Sequence, residues 1–405
     1  MPSAVRAEGR PHPTPHIRHP AATPRILFLD HAAVLGGAEL SLLDVARAER
    51  ANGGRVLLME DGPFRDRLAS EGVDVRVLGG GERMRAVKKS SSLPSPRAAL
   101  GALSVARRVA AEAREFDLIY ANSQKSFVVA AVAGRIARRP VLWHLRDILD
   151  RAHFSGANVR LVVALANRAS ARVVANSRAT ADAFVAAGGL ANRVRVVHNG
   201  IEPAPFLGAC NDGSLRAELK IPAAAPLLGV FGRLSPWKGQ HVLLEALPQL
   251  PTSHAVFVGA PLFGEDAYAA RLRADAESLG VADRVHFLGF RSDVPRLTRA
   301  VDVVVHTSTA PEPFGRVLVE GMLAGRPVIA TAAGGALEIV RDGETGLLVP
   351  PGDADALADA VASLLANPGA MARMGGAGRE RALAHFSLDA TLRGVAEQVA
   401  EAVER

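Results

Sequence analysis

Short, continuous apolar runs alternate along the chain with longer segments whose apolar positions recur at helical spacing. In the first half the runs cover residues 25–30, 55–60, 73–78, 118–123, 141–145, 172–177 and 193–198, and each reads as a strand. Helical stretches lie between them at 38–52, 95–114, 125–138 and 178–187. The second half repeats the scheme, with strands at 227–232, 255–259, 284–289, 301–307 and 327–330 and a short last one at 347–349. Its helices are expected at 240–250, 267–279, 316–324 and 354–366. Such alternation predicts an α/β protein whose parallel sheets are covered by helices. Asn199-Gly-Ile-Glu-Pro203, followed by Pro205, is turn and linker chemistry, so the chain divides there into two Rossmann-like domains, 25–202 and 203–386. Two such sheets in tandem bring their carboxyl-end loops to a shared crevice, where open α/β sheets bind ligands. The final segment, 387–405, reads as an amphipathic helix with Leu392, Val395, Val399 and Val403 along one side.

A chain of 405 residues is long enough for two full cores. Hydrophobic residues make up 49% and charged residues 22%, an ordinary balance for a globular protein. The longest apolar runs, 127–133 and 161–166, fall well short of the ~18 residues a membrane span needs and read as core elements. Residues 1–24 hold His12, His16 and His19 among Pro and Arg without an apolar core segment, and are expected to be a disordered leader rather than a secretory signal. The single cysteine, Cys210, cannot form an internal disulfide, which suits a reducing compartment. The net charge of +7 is carried almost wholly by arginine. Arg135, Arg138, Arg139, Arg146 and Arg151 lie close in sequence; they read first as a solvated surface, and second as a basic rim for phosphate-bearing substrates or lipid head groups. Aromatic residues are only 4% of the chain, so base-stacking platforms are scarce and no nucleic-acid partner is expected.

Four constellations carry chemistry. Pro311-Glu-Pro-Phe-Gly-Arg-Val-Leu-Val-Glu-Gly-Met-Leu-Ala-Gly325 follows a buried strand, so Glu312 sits in a loop at a strand's carboxyl end and Gly315-Arg316 open a helix. A helix start offers unpaired N–H groups and partial positive charge to an anion. Glu320 lies one turn in, on a helix whose Val317, Leu318, Val319 and Met322 predict burial; a carboxylate there needs a partner, such as the hydroxyls of a bound nucleotide. Gly232-Arg-Leu-Ser-Pro-Trp-Lys-Gly239 sets Arg233 and Lys238 on one glycine-bounded loop, a fork and a point charge for phosphate oxygens. Leu35-Gly-Gly-Ala-Glu39 permits close backbone approach to a ligand at Gly36 and Gly37. Trp143-His-Leu-Arg-Asp147 ends a strand and can aim His144 and Asp147 at the cleft, although a satisfied structural histidine has the same pattern. There is no G-x-x-x-x-G-K-[ST] loop, no G-x-G-x-x-G after the first strand and no Cys/His cluster with metal-ligand spacing. Asp353-Ala-Asp355 opens a helix and reads as a cap rather than a metal site.

Together these residues resemble the retaining glycosyltransferases of family 4, which have the GT-B fold. The resemblance runs from Arg25 onward and is strongest between Gly229 and Asp353, through the Glu-x7-Glu pair Glu312 and Glu320, the run Arg326-Pro-Val-Ile-Ala-Thr331, Gly334-Gly335, Glu338-Ile-Val340, Asp342-Gly-Glu-Thr-Gly346 and Pro351-Gly-Asp353. It implies an acceptor-binding first domain, a donor-binding second domain, and a last helix that crosses back to the first. Arg233 and Lys238 would hold the donor's diphosphate, Glu320 the ribose, and Glu312 the transferred sugar. Backbone N–H groups around Phe314, Gly315, Arg316 and Val317 would hold sugar hydroxyls and phosphate, with the base near Phe290 and Val294. Gly36 and Gly37 would close over the diphosphate, and His144 would touch the sugar. Many members carry Gly where this chain has Pro313, which has no N–H to offer. The implied enzyme transfers a hexose from a nucleoside-diphosphate sugar, with UDP as the expected nucleotide and no metal or other cofactor, to a saccharide, lipid-linked or small-molecule acceptor. It would be cytoplasmic, with peripheral contact at the inner face of the membrane. The competing readings are another GT-B enzyme, such as a nucleotide-sugar epimerase or a glycan phosphorylase, or a non-catalytic nucleotide-sugar or nucleic-acid binder.

Overall fold

A computed structural model describes residues 23–79, 96–150, 154–208 and 213–404, without the side chains of 96–100. Residues 1–22, where a leader is expected, Cys210 and Arg151 lie outside the described residues.

The apolar runs form two all-parallel sheets. The first contains β1 (Ile26–Asp30), β2 (Arg55–Leu58), β3 (Asp74–Val77), β4 (Leu118–Ala121), β5 (Val141–Leu145), β6 (Arg172–Ala175) and β7 (Val194–Val196), in the order β3-β2-β1-β4-β5-β6-β7. The second contains β8 (Leu227–Phe231), β9 (His254–Val258), β10 (Val285–Gly289), β11 (Val303–His306), β12 (Val328–Thr331) and β13 (Gly346–Val349), in the order β10-β9-β8-β11-β12-β13. The central strands β1, β4, β8, β11 and β12 are buried along their whole length, as parallel strands covered on both faces must be. Each sheet has cores on both faces: clusters centred on Trp143 and on Phe28 flank the first, and clusters centred on Phe257 and on Leu318 flank the second.

In both sheets the chain winds outward for three strands and then returns beside the first, so the winding direction reverses between β1 and β4 and again between β8 and β11. That is the switch point at which open α/β sheets leave a crevice. The loops emerging there are 31–36 and 122–123 in the first domain, and 232–239 and 307–315 in the second. Three of the four chemistry-bearing segments therefore emerge at the two crevices.

The last helix, Leu388–Val403, packs on the first domain. Val395, Val399 and Ala402 join the cluster that holds Ile26, Phe28, Leu118 and Tyr120. Burying each of the two valines contributes about 1.5–3 kcal/mol. Arg172 pairs with Glu401, and the Thr391 hydroxyl donates to the His198 carbonyl at 2.7 Å. Gly200 passes so close to the Ser387 carbonyl that any side chain would collide with it. The buried stripe differs slightly from the expected one: Val403 is exposed and Ala402 takes its place.

One other expectation shifts, and one holds. Residues 161–166 lie within the helix Gly156–Ala169, whose face buries Val162, Val163 and Ala166 but leaves Leu161 49% exposed. The Asp353 side chain caps the helix Ala354–Leu365 by accepting from the Ala356 N–H at 2.9 Å, as the cap reading expects.

Candidate active site

The loop after β11 carries Glu312, whose carboxylate lies between three groups. Lys238 Nζ is at 2.5 Å, the Ser308 hydroxyl donates at 3.1 Å, and His306 Nε2 is at 3.3 Å. Burial alone would push this carboxyl up, but the Lys238 ammonium and the His306 contact outweigh it and hold Glu312 well below the usual carboxylate range. It is ionised throughout the physiological range. Its backbone is fixed as firmly, because the Gly335 N–H donates to the Glu312 carbonyl at 2.7 Å. Gly334 has φ +61°, and a Cβ there would collide with the same carbonyl. Only glycine serves at that approach.

Lys238 closes the loop after β8, and its ammonium also stands 4.3 Å from the Trp237 ring centroid. Arg233, on the same loop, lies over the rings of Trp237 at 5.6 Å and Phe263 at 5.2 Å. Arg233 has no carboxylate partner among the described residues, so its guanidinium is free to meet an anion. The helix Arg316–Leu323 starts at Gly315, whose φ of +102° turns the chain sharply into it. No side chain caps this start, which leaves its first N–H groups for a ligand.

Arg316 reaches across to the first domain. It donates to the Ser41 hydroxyl at 2.9 Å, lies 3.6 Å from Asp44, and passes within 3.6 Å of where a Cβ on Gly37 would stand. Its Nε is 3.7 Å from Glu320, the one ionic partner of that carboxylate among the described residues. Glu320 is only 12% exposed, and burial pushes its carboxyl up despite the Arg316 charge. The two glutamates of one motif are thus driven in opposite directions.

Across the crevice the first domain presents a buried polar network. Asp30 accepts from the Asn122 amide at 2.6 Å and lies 3.2 Å from His31 Nδ1. Arg146 donates to Asn122 Oδ1 at 2.6 Å and Asn199 Oδ1 at 2.9 Å, and reaches His144 Nδ1 at 3.3 Å. Glu39 is 8% exposed, and burial followed by the Asp30 charge pushes its carboxyl up to about 7.

Several sequence-predicted residues converge here: Lys238 with Glu312, Arg316 with Glu320, and Gly37 against Arg316. Others are placed differently. His144 is fully enclosed and bonded to the Tyr120 hydroxyl; its Nε2 has no hydrogen-bond partner among the described residues, and burial with the Arg146 charge holds it neutral. Arg146 is buried in the polar network and takes no part in a basic rim, a correction to its sequence grouping with Arg135, Arg138 and Arg139. The ring of Phe314 is a core side chain packed on Phe386 and His198, so only its backbone can face a ligand. Phe290 is 63% exposed on the stretch between β10 and the helix Val294–Ala300, which leaves its face open to a base. Sequence reasoning missed His306 and Ser308 beside Glu312, Ser41 and Asp44 beside Arg316, and the pairing of Glu338 with the first domain. Position at a strand end was the one available signal for His306.

Two parallel sheets meeting across a crevice, with a cationic loop, an uncapped helix start and an ionised carboxylate on one side, define a GT-B protein. Comparison with known proteins agrees. The model of the Glycosyl transferases group 1 family matches residues 212–381, and that of Glycosyltransferase Family 4 matches residues 35–204. The structure of HepE from Anabaena in complex with UDP and glucose superposes with a TM-score of 0.86 at 41% identity, covering 93% of this chain and 99% of that one. HepE has also been solved with UDP-glucose, with a TM-score of 0.85. Among curated proteins, the lipopolysaccharide core biosynthesis glycosyltransferase LpsE of Rhizobium meliloti (strain 1021) is 37% identical over 175 residues, 43% of this chain and 50% of that protein. A D-inositol 3-phosphate glycosyltransferase of Mycolicibacterium gilvum (strain PYR-GCK) is 38% identical over 176 residues, 43% of this chain and 39% of that protein. The matched segment thus spans half or less of these curated relatives. The chain belongs to the group 1, family 4 glycosyltransferases.

Proposed function

We propose that this enzyme transfers a hexose from a UDP-sugar, with UDP-glucose the first candidate, to a hydroxyl of an acceptor held by the first domain, with retention at the anomeric carbon. The observation that carries the reading is the convergence of Lys238, Glu312 and the uncapped helix start at Gly315 on one crevice, in a chain 41% identical to a protein solved with UDP-glucose. The bond from the anomeric carbon to the diphosphate oxygen breaks, and a bond to the acceptor oxygen forms on the same face. The acceptor's proton passes to the departing phosphate oxygen, giving UDP and the glycosylated acceptor. Arg233, Lys238 and the N–H groups at Arg316 and Val317 stabilise the charge that develops on the leaving diphosphate, an arrangement that requires no metal. Glu312 lies beside the sugar, Glu320 accepts from the ribose hydroxyls, and Phe290 with Val294 flanks the base. Gly36 and Gly37 cover the diphosphate, and His144, enclosed and neutral, backs the Arg146 network instead of touching the sugar. Closure of the two domains excludes water.

The relatives are named for lipopolysaccharide core biosynthesis and for D-inositol 3-phosphate, so saccharide and phosphorylated small-molecule acceptors head the candidates. A cytoplasmic enzyme working at the inner membrane surface suits the first domain, which exposes Val128, Val132, Ile136 and Leu161 among the exposed Arg107, Arg108, Arg114, Arg135, Arg138 and Arg160. No helix among the described residues is long and apolar enough to cross a membrane.

The deciding experiment is a thermal-shift panel of UDP-, GDP-, ADP- and dTDP-sugars, because a ligand at one hundred times its Kd stabilises the fold by about 2.7 kcal/mol. UDP-sugars should shift the melt most, and UDP should be released when lipopolysaccharide core or D-inositol 3-phosphate is added. No stabilisation by any nucleotide sugar would end the reading.

A further inference from the structure

Glu338 holds the first domain with three contacts from one carboxylate. One oxygen accepts the Arg178 N–H at 2.9 Å and lies 2.8 Å from His198 Nε2; the other accepts the Ala179 N–H at 2.9 Å. All three partners belong to the first domain. Arg178 and Ala179 are the first two residues of the helix Arg178–Ala186, and their N–H groups have no partner within it. Ser177 satisfies the next one, accepting from the Thr180 N–H at 3.0 Å. Glu338 therefore completes a cap that the first domain cannot complete alone, and the helix dipole favours its charge there. Burial would raise this carboxyl, but His198 and the two N–H groups outweigh it, so Glu338 is ionised and held.

The same carboxylate is mechanically close to the sugar side of the site. Its short helix, Ala336–Ile339, follows directly on Gly334-Gly335, and these glycines pair with the Glu312 backbone through the Gly335 N–H at 2.7 Å and a parallel bridge at Gly334. The helix gripped by Glu338 also reaches the Glu312 loop directly, the Thr180 hydroxyl lying 3.4 Å from the Pro313 carbonyl. His198 stands next to the linker at Asn199 and is tied to the last helix by Thr391. A pull on either domain thus reaches the loop that aims Glu312.

We propose that Glu338 is a positioning residue that couples closure of the two domains to the setting of Glu312, so that the sugar-side carboxylate is aimed only while the first domain is latched. This rests on the donor-transfer reading above. Glu338 touches no part of the expected donor, so its loss should leave donor affinity intact and slow turnover.

The test compares the wild type with Glu338→Gln and Glu338→Ala, using UDP-glucose as the probe. Three quantities are read: Kd by calorimetry, UDP release at saturating donor, and deuterium uptake at residues 178–180 and 314–316. Turnover should fall about 10- to 100-fold, the scale of an ångström's misplacement of a catalytic group, while Kd stays within a few-fold. Uptake should rise at both segments together. Should Glu338→Ala fail to fold, His198→Gln keeps both N–H contacts and should show a smaller loss with the same pattern. Glu344→Gln, an exposed partner of Arg341, should change nothing. Unchanged turnover with faster exchange at 178–180 alone overturns the proposal and leaves Glu338 as interdomain glue. A parallel fall in affinity and turnover also overturns it. Failure of the wild type to bind UDP-glucose would instead strike the donor reading, so the two failures are distinguishable.

Discussion

Removing the Lys238 ammonium should act on turnover far more than on donor binding. Its Nζ stands 2.5 Å from a Glu312 oxygen. At an effective dielectric of about 20, such a contact is worth about 7 kcal/mol of gross attraction, before desolvation and solvent screening take most of it back. A phosphate oxygen at ~3 Å would gain about 5–6 kcal/mol per unit charge on the same scale. The two figures nearly match, so Glu312 already cancels most of what the lysine offers a donor in its ground state. What remains uncancelled is the charge that gathers on the diphosphate as the sugar bond breaks. An interaction that strengthens only then raises kcat. Loss of one such preorganised contact costs about 2.7–4 kcal/mol, or 100- to 1,000-fold in kcat. Lys238→Ala should therefore lower kcat by about two to three orders of magnitude and move KM for UDP-glucose by less than about tenfold. The assay is steady-state UDP release, with UDP-glucose Kd measured separately by calorimetry. Lys238→Ala made on a Glu312→Gln background adds a check: if the lysine merely neutralises Glu312, the second substitution costs nothing there. Wild-type kcat/KM in Lys238→Ala, or a loss confined to KM, would refute the reasoning.

Three further outcomes follow from the same structure. Burial and then the Asp30 charge push the Glu39 carboxyl up to about 7 from its ordinary 4.5, so the folded state holds the proton more tightly and stability should fall as pH rises from about 4.5 to about 7. Glu39→Gln should remove that slope and gain up to about 3 kcal/mol at pH 8, read as denaturation midpoints at pH 5 and pH 8; equal slopes in both proteins would count against the burial argument. Arg316→Ala deletes the bond to Ser41 and the cation beside Asp44 and Glu320, and should cost about 1–3 kcal/mol of stability with UDP affinity reduced about tenfold, measured by thermal melts and calorimetry. Val132→Asp with Ile136→Asp should abolish co-sedimentation with vesicles rich in anionic lipid while leaving UDP-glucose binding unchanged; retained vesicle binding would rule out this face.

The fold was legible because its signal is local. Continuous apolar runs punctuated by helical periodicity revealed both sheets, and Asn199-Gly200 with Pro203 and Pro205 lie between β7 of the first and β8 of the second. Short elements were harder. The helices Pro63–Ser70, Ser214–Leu219 and Ala336–Ile339 span too few turns for a period to emerge, and they form because the sheets fix their ends. In the candidate site, Glu312, Glu320, Arg233 and Lys238 stood out in the sequence because loops at strand ends and helix starts have sequence signatures. Their partners did not. Ser308, Asp44 and Glu338 matter through contacts made across loops or across domains, and no spacing in the chain encodes such distances. Arg146 shows the reverse error: neighbours in sequence suggested a surface cluster, but directly after β5 its side chain turns inward to Asn122 and Asn199.

The opposite displacement of the two motif glutamates separates their roles. Glu312 has Lys238, His306 and Ser308 on one carboxylate, and these make ionisation cheap despite burial. A group held charged in that way suits a site where positive charge builds up, as it does on the sugar ring when the leaving group departs. Glu320 has a single cation at 3.7 Å and no hydrogen bond from a side chain among the described residues, so its charge is under-compensated until hydroxyl donors arrive. The ribose of a bound nucleotide supplies two. Donor binding should therefore lower the Glu320 carboxyl and release protons, whereas Glu312 should not titrate. Calorimetry of UDP binding in buffers of different ionisation enthalpy reads that proton count directly. Proton release at pH 5 that disappears in Glu320→Gln and persists in Glu312→Gln is the expected result; the reverse pattern would exchange the two roles.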